Sequence, residues 1–439
     1  MAEPEEGTLV PSERRLETPD RTTLLANYAR AEELGKTILT AEIVVGLAAL
    51  IWLAGFVSRP FGVFQWPAFA IGGLGVFRWF LEYTFLSKKR LEEIRPDAQF
   101  GEHNRDSLVQ LSGEVFERLG LNPRIAPVFL PRAKDINAQA LRCELWPGMH
   151  LFNGVFLNRS IIHLLDGPEL ASVIGHELGH VVPYSPILSR CYLVHAIVAG
   201  VVSSAITAAF PYAGTALVAP MAVLWIVDRL IAWPHSGMSR SIEFLCDDYG
   251  AQAAGVLPAL SSDFKIAVEQ ETRQQLLLRV LEARKKGARV SLPDLIEAYE
   301  EAIPFGKADP ESFERELQRV VADRQQAVGK ISLGGYLRDL QGGGDDRADE
   351  WIDEQLQELE LLERLPLLSV DRGLFLQGSR AWSLETAESL ATVAASNPAK
   401  LLVRLPAELD DRSSTHPSAT RRLLFLWRNR AAYPLRCAS

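Results

Sequence analysis

Three residues at a fixed spacing are the part of this sequence best suited to chemistry. His176, Glu177 and His180 form the pattern His-Glu-x-x-His within residues 169–182. Four residues on an α-helix advance slightly more than one turn, so both imidazoles point the same way and can hold one zinc ion. Glu177 lies beside the first imidazole and can act as a general base towards water. The pattern therefore predicts metal-assisted hydrolysis. Apolar neighbours indicate a buried helix: Leu170, Val173, Ile174 and Val181.

A catalytic zinc ion normally has a third protein ligand and keeps one position open. Glu243 is the best candidate for this ligand, and Asp247 follows four residues later on the same face of a predicted helix. Glu243 can bind the metal while Asp247 accepts a hydrogen bond from a ligand imidazole and fixes its tautomer. Alone, the two acids would indicate a solvated helix face. Together with His-Glu-x-x-His, they favour a metal site.

Four apolar runs predict membrane spans arranged as two hairpins. Residues 43–57 and 61–77 carry no charge, and the 37 residues 191–227 contain no Asp, Glu, Lys or Arg. A spanning helix needs about 20 apolar residues. The second pair, with its turn near residues 211–214, meets this requirement well, and the first pair meets it with help from its ends. Buried helices of a soluble core are the alternative interpretation.

The basic residues indicate how these hairpins are oriented. Lys and Arg accumulate before the first run and after the second, whereas the short connections between paired runs carry almost none. The basic residues concerned are Arg21, Arg30, Lys36, Lys88, Lys89, Arg90 and Arg95. We therefore expect a multi-pass protein of the cell (inner) membrane whose catalytic part faces the cytoplasm. Two spans between His180 and Glu243 return the chain to the side that it left, as a shared metal site requires.

These motifs resemble the HtpX-type membrane zinc metalloproteases, which belong to a broader family that also includes the CaaX prenyl proteases. The resemblance covers roughly residues 38–250 and 410–427 and rests on the His-Glu-Leu-Gly-His helix, the two following spans and the Ser-Arg-x-x-Glu-x-x-x-Asp helix. It implies that His416 and Arg422 lie near the zinc ion and stabilise the tetrahedral intermediate. It also implies that Asn137 and Ala138 lie on an edge strand that pairs with extended substrate.

The predicted fold is a mainly α membrane protein with a zincin-like α+β catalytic domain and four transmembrane helices. A polar tail (1–37) precedes the first transmembrane hairpin (38–86), which is followed by a catalytic segment (87–190), a second hairpin (191–233) and the third-ligand helix (234–254). A helical insert or cap (255–400) departs from the resemblance and could bind a protein partner. Residues 401–439 complete the catalytic domain.

The sequence therefore predicts a zinc-dependent endopeptidase with one Zn²⁺ per chain, acting on polypeptides. The resemblance suggests membrane or misfolded proteins as substrates and a role in protein quality control. A CaaX-type prenyl-peptide protease and an inactive zinc-binding membrane scaffold are the alternatives. The net charge of −9 gives no reason to expect nucleic-acid binding. The four scattered cysteines argue against a disulfide framework.

Overall fold

A computed structural model describes residues 18–56, 88–131, 137–146, 149–210, 212–234, 238–267, 382–396 and 417–433. This part of the chain is mainly helical and contains a small β-sheet. The second apolar run, most of the predicted insert and His416 lie outside the described residues.

Helix α1 is a single helix of 36 residues, Arg21–Phe56. Its N-terminal half is anchored in a protein core, where Leu24 and Tyr28 are buried and the Tyr28 ring meets Tyr184 edge-on at 5.5 Å. Its C-terminal half is the first apolar run. The helix is therefore continuous across the predicted boundary between the polar tail (1–37) and the first transmembrane hairpin (38–86).

Four strands form a mixed sheet: β1 (Lys88–Arg90), β4 (Val128–Pro131), β5 (Ala138–Trp146) and β6 (Met149–Leu157). Their order across the sheet is β1-β4-β6-β5. Strand β4 runs parallel to β6, whereas β1 pairs with β4 and β5 with β6 in antiparallel fashion. Strand β5 is the last in this order, so its outer edge carries no neighbouring strand among the described residues. Short strands β2 (Gln99–Phe100) and β3 (His103–Asn104) form a separate pair.

Helix α2 (Arg105–Arg118) and the short helix α3 (Arg159–Leu164) precede the His-Glu-x-x-His helix, α4 (Gly167–Val181). The start of α4 is fixed by a capping box: Asp166 accepts from the backbone N–H of Glu169, and Glu169 accepts from that of Asp166. Pro168 occupies the first turn, where a missing N–H costs nothing.

Helix α4 packs closely against α8 (Ser239–Ala254), because glycines line their interface. A Cβ atom on Gly250 would lie 2.7 Å from the backbone oxygen of Ser172, and one on Gly175 would lie 2.7 Å from the Cβ of Ala253. One on Gly179 would lie 3.0 Å from the Sγ of Cys246. Only glycine lets the two backbones approach to this distance, which brings the histidines of α4 beside Glu243 of α8.

Between α4 and α8 the chain forms α5 (Ile187–Arg190), α6 (Tyr192–Ala209) and α7 (Ala213–Ala232). Among the described residues, two helical segments are long and apolar enough to cross a membrane, Arg21–Gly55 and Tyr192–Ala209. The fourth predicted run forms α7, a helix of 20 residues with Pro220 inside it. Four transmembrane helices therefore stay a prediction.

The core extends into the segment assigned to the insert. Residues 256–267 form helix α9, and Leu384–Ser396 form α10. Phe264 of α9 and Trp382 are buried against each other, with ring centroids 5.2 Å apart. Helix α11 (Ala419–Arg428) packs on the same core through Phe425, whose ring lies 5.0 Å from that of Phe244.

Asp248 of α8 connects the two ends of the described chain. Its fully buried carboxylate accepts hydrogen bonds from Nε of Arg21 at 2.5 Å and from the hydroxyl of Tyr433 at 2.6 Å. Gln252 donates to the same carboxylate at 2.7 Å. Arg21 begins α1 and Tyr433 lies near the C-terminus, so this one carboxylate joins both to the helix that carries Glu243.

Candidate metal centre

Three side-chain atoms from two helices converge on one point. Nε2 of His176 and Nε2 of His180 lie 3.2 Å apart, and the carboxylate oxygens of Glu243 lie 3.5 Å and 3.4 Å from them. All three ligand atoms lie within 4.8 Å of one another. The structure thus brings together the three residues predicted as ligands, and their arrangement can hold a metal ion.

Asp247 contacts the imidazole of His176 on the side opposite the candidate metal position. The Nδ1 of His176 donates to Oδ1 of Asp247 at 2.8 Å, because an ionised carboxylate can only accept. This bond orients the ring so that Nε2 faces His180 and Glu243. Asp247 itself is engaged by Arg422, whose Nε donates to Oδ2 at 2.7 Å and whose Nη2 donates to Oδ1.

The pKa values of the two histidines are shifted in opposite directions, although both residues lie on α4. Burial lowers the pKa of His176, but hydrogen bonds with Asp247 and Glu243 outweigh it and raise that pKa to about 10. Burial, together with the neighbouring His176, lowers the pKa of His180 to about 4. Burial alone would raise the pKa of Asp247, yet the Arg422 guanidinium holds it below its usual value.

Arg422 lies on the Nδ1 side of His176, away from the Nε2 atom that faces the other two ligand residues. Its Nη2 is 3.5 Å from Nδ1 of His176, and its Nε and Nη2 are both engaged by carboxylates. The position fits a residue that orients Asp247. Its predicted role towards the tetrahedral intermediate stays a prediction.

Asp263 is a member of this cluster that sequence reasoning missed. It lies on α9 and accepts from Nη2 of Arg422 at 3.0 Å. Burial raises the pKa of its carboxyl to about 7, despite the opposing effect of Arg422. No spacing from the other site residues marks it, so the only available signal was that this acidic residue follows a run of uncharged residues, 249–262.

The remaining predicted site residues fall in three places. Glu177 is buried on α4, next to His176. Asn137 immediately precedes β5, where its carbonyl accepts from the N–H of Asn158 at 3.3 Å, and Ala138 begins β5 opposite Leu157. His416 lies outside the described residues, directly before Pro417.

Two histidines on one helix, a carboxylate from a second and an aspartate behind the first define a site of the metallopeptidase class. Residues 129–268 match the family model described as Peptidase family M48. This match confirms the family resemblance, and it spans α4, α8 and the metal-site residues that they carry. Over this segment the chain is similar to the metal-dependent peptidases of family M48. Searches of curated proteins and of solved structures returned no match.

Proposed function

We propose that this protein is a membrane-embedded, zinc-dependent endopeptidase that hydrolyses peptide bonds of polypeptide substrates. The observation that carries the proposal is the triangle of ligand atoms formed by His176, His180 and Glu243.

The size of the triangle fits zinc. Tetrahedral coordination with bonds of roughly 2.1 Å places neighbouring ligand atoms about 3.4 Å apart. The two Nε2 atoms lie 3.2 Å apart, and Oε2 and Oε1 of Glu243 lie 3.5 Å from Nε2 of His176 and 3.4 Å from Nε2 of His180, respectively. Two imidazoles and one carboxylate are also a ligand set that zinc uses in catalytic sites, where a fourth position stays open.

Zinc bound here would polarise the scissile carbonyl and lower the pKa of water. Glu177 accepts the proton of the attacking water and passes it to the leaving amine. Asp247 keeps the Nδ1 proton of His176 in place, so that Nε2 is the atom that would give up its proton and bind the metal. Arg422 holds Asp247 ionised and oriented. Asn137 and Ala138 contribute to an edge strand that pairs with extended substrate.

The membrane location is supported by the apolar side chains on the exposed faces of the candidate membrane helices and by the polar groups buried between them. Large apolar side chains of α1, such as Val44 and Ile51, are 59% and 72% exposed. The faces buried between these helices contain polar groups beside apolar residues such as Leu39 and Val194. Glu42 of α1 pairs with Nδ1 of His195, which is 1% exposed on α6. Lipid-exposed helices show this pattern, because lipid contacts apolar side chains while polar groups bond one another between helices. The same outward pattern continues on α7: Val218, Met221, Trp225 and Ile226 are all exposed.

The metal site faces the cytoplasm in this proposal, because the basic residues flank the spans on that side. The substrates are membrane or misfolded proteins, and the role is protein quality control. Both statements rest on the family resemblance.

The test is zinc content combined with cleavage of an unfolded protein such as casein. Purified wild-type protein should contain about one zinc per chain and lose cleavage when a chelator removes it. Glu177→Gln should keep the zinc and lose cleavage. Zinc retention in both proteins with no cleavage of casein or of membrane-derived peptides would instead support the scaffold alternative. Release of the protein from membranes by alkaline carbonate would contradict membrane embedding.

A further inference from the structure

Four charged side chains form a continuous series of contacts from the edge strand to helix α1. We call them the strand bracket: Arg142 and Glu144 of β5, Arg190 of α5 and Glu32 of α1. Arg142 Nε donates to Oε1 of Glu144 at 2.9 Å, and Arg190 Nε lies 3.3 Å from the other carboxylate oxygen of Glu144. Arg190 Nη2 lies 3.6 Å from Oε1 of Glu32.

The strand bracket also contacts the active-site helix. Arg142 Nη1 donates to the backbone carbonyl of Val181 and, at 3.2 Å, to that of Val182. These carbonyls belong to the C-terminal end of α4, where backbone acceptors lack partners within the helix and a cation is favourable. Val181 directly follows His180, so strand β5 is attached to α4 one residue from a metal-site residue.

These charges are buried, and the hydrolytic steps make no use of them. The exposed fraction of the side chain is 0% for Glu144, 11% for Arg142 and 16% for Arg190. Buried ion pairs often add little stability over apolar residues, so a contribution to geometry is a reasonable explanation for them. The register of β5 against β6 also shifts on both sides of Glu144. Such irregularities redirect a strand and are frequent beside active sites.

We propose that the strand bracket sets the position of β5 relative to the metal centre, with Arg142 and Glu144 as positioning residues for an extended peptide substrate. This inference rests on the proposed peptidase function. A peptide that pairs with the outer edge of β5 takes its register from the strand. The placement of its scissile bond then depends on the distance between β5 and α4, which Arg142 spans directly.

The proposal predicts an effect that depends on substrate length. A long peptide uses many main-chain bonds to β5, so a shifted strand places its scissile bond wrongly. A short peptide that spans little more than the scissile bond relies on the metal centre and is affected far less. A purely structural contribution of the strand bracket would instead reduce cleavage of both peptides to the same extent.

The experiment compares kcat/KM for two peptides that share one scissile sequence. At about 3.3 Å per residue, a peptide of about ten residues can pair along the whole of β5, whereas a peptide of about four residues cannot. Glu144→Gln should lower kcat/KM roughly tenfold for the long peptide and less than about twofold for the short one. Zinc content should be unchanged. Glu144→Asp, which keeps the charge, should recover part of the loss.

Glu114→Gln is the matched control. Glu114 pairs with Arg118 at 3.0 Å in a partly exposed i,i+4 ion pair on α2, far from the strand bracket in the sequence. This variant should cleave both peptides at the wild-type rate. If Glu144→Gln does not fold, Arg190→Lys weakens the same contacts with less disturbance and should show the same selective loss.

An equal loss for both peptides, or no loss for either, would overturn the proposal. Failure of the peptidase function itself looks different, because wild-type protein loaded with zinc would then cleave neither peptide. That result would overturn both proposals.

Discussion

Asp247 lies directly behind His176, and its Oδ1 accepts a hydrogen bond from Nδ1 at 2.8 Å while Nε2 of the same ring faces His180 and Glu243. One residue further, Asp248 points to a different cluster and joins Arg21 to Tyr433. Adjacent aspartates on one helix thus serve different purposes. The first orients a metal-site residue, and the second holds the fold together.

Replacement of each aspartate by asparagine should separate these purposes. Asp247→Asn removes the charge that fixes the tautomer of His176, so zinc affinity should fall about 10- to 100-fold. Asp248→Asn should leave zinc affinity of the folded protein near wild type but lower the free energy of unfolding by about 2 kcal/mol, because a charged acceptor of several hydrogen bonds is lost. Zinc titration and thermal unfolding in detergent measure the two effects. Equal zinc affinities for Asp247→Asn and wild type would contradict the assignment.

Gly250→Ala should disturb the metal centre from a distance. The added methyl group would meet the backbone oxygen of Ser172 at 2.7 Å, so α4 and α8 must separate. We expect a loss of stability of about 1–3 kcal/mol, as for other overpacked sites, together with weaker zinc binding. Gly113→Ala is the control, since nothing lies within 4 Å of its added methyl group. That change within α2 should stabilise the protein by roughly 0.5–1 kcal/mol.

Arg422→Lys should show whether Arg422 acts through Asp247. Lysine keeps the positive charge but cannot reproduce the paired contacts of Nε and Nη2 with the Asp247 carboxylate. We expect kcat to fall about tenfold or more and zinc affinity to fall with it, since partners of ligand-orienting residues affect both. A fall in kcat with unchanged zinc affinity would favour direct contact with the reacting carbonyl instead.

Lys265→Met should be strongly destabilising. Lys265 Nζ lies 2.6 Å from Oε1 of Glu169, and the Glu169 side chain is fully buried at the start of α4. Loss of the lysine leaves an unpaired buried carboxylate, which costs about 3–5 kcal/mol. The double variant Glu169→Gln/Lys265→Met removes both charges and should recover part of the loss, as measured by chemical unfolding. A double variant less stable than Lys265→Met would contradict this explanation.

The candidate ligand residues were accessible to prediction because their helical spacing constrains them. His176 and His180 share a helix face by their spacing, and the two spans predicted between them and Glu243 would return the chain to one side. The tautomer-fixing position of Asp247 follows from the same spacing. In the structure, His176, His180 and Glu243 converge, and Asp247 accepts a hydrogen bond from Nδ1 of His176.

Other parts of the site depend on contacts that no local pattern encodes. Asp263 and Lys265 belong to the segment interpreted as an insert, yet helix α9 packs against α4 and α11. This packing brings Lys265 to Glu169 and Asp263 to Arg422. The buried hydrogen bond of His195 is a second example, because its partner Glu42 lies 153 residues away in the sequence. The order of strands, which makes β5 an edge, likewise depends on long-range pairing.

Helix α1 has a mechanical consequence. Its 36 residues correspond to a rod of about 54 Å. Near one end, Leu24 and Tyr28 of the helix are buried in a protein core that includes Tyr184, whereas the other end carries the exposed apolar run. With the proposed membrane location, an uninterrupted helix of this kind would hold the catalytic part at a constant height above the lipid. The distance of a scissile bond from the bilayer surface would then be a selection criterion in its own right, independent of the residues that flank it.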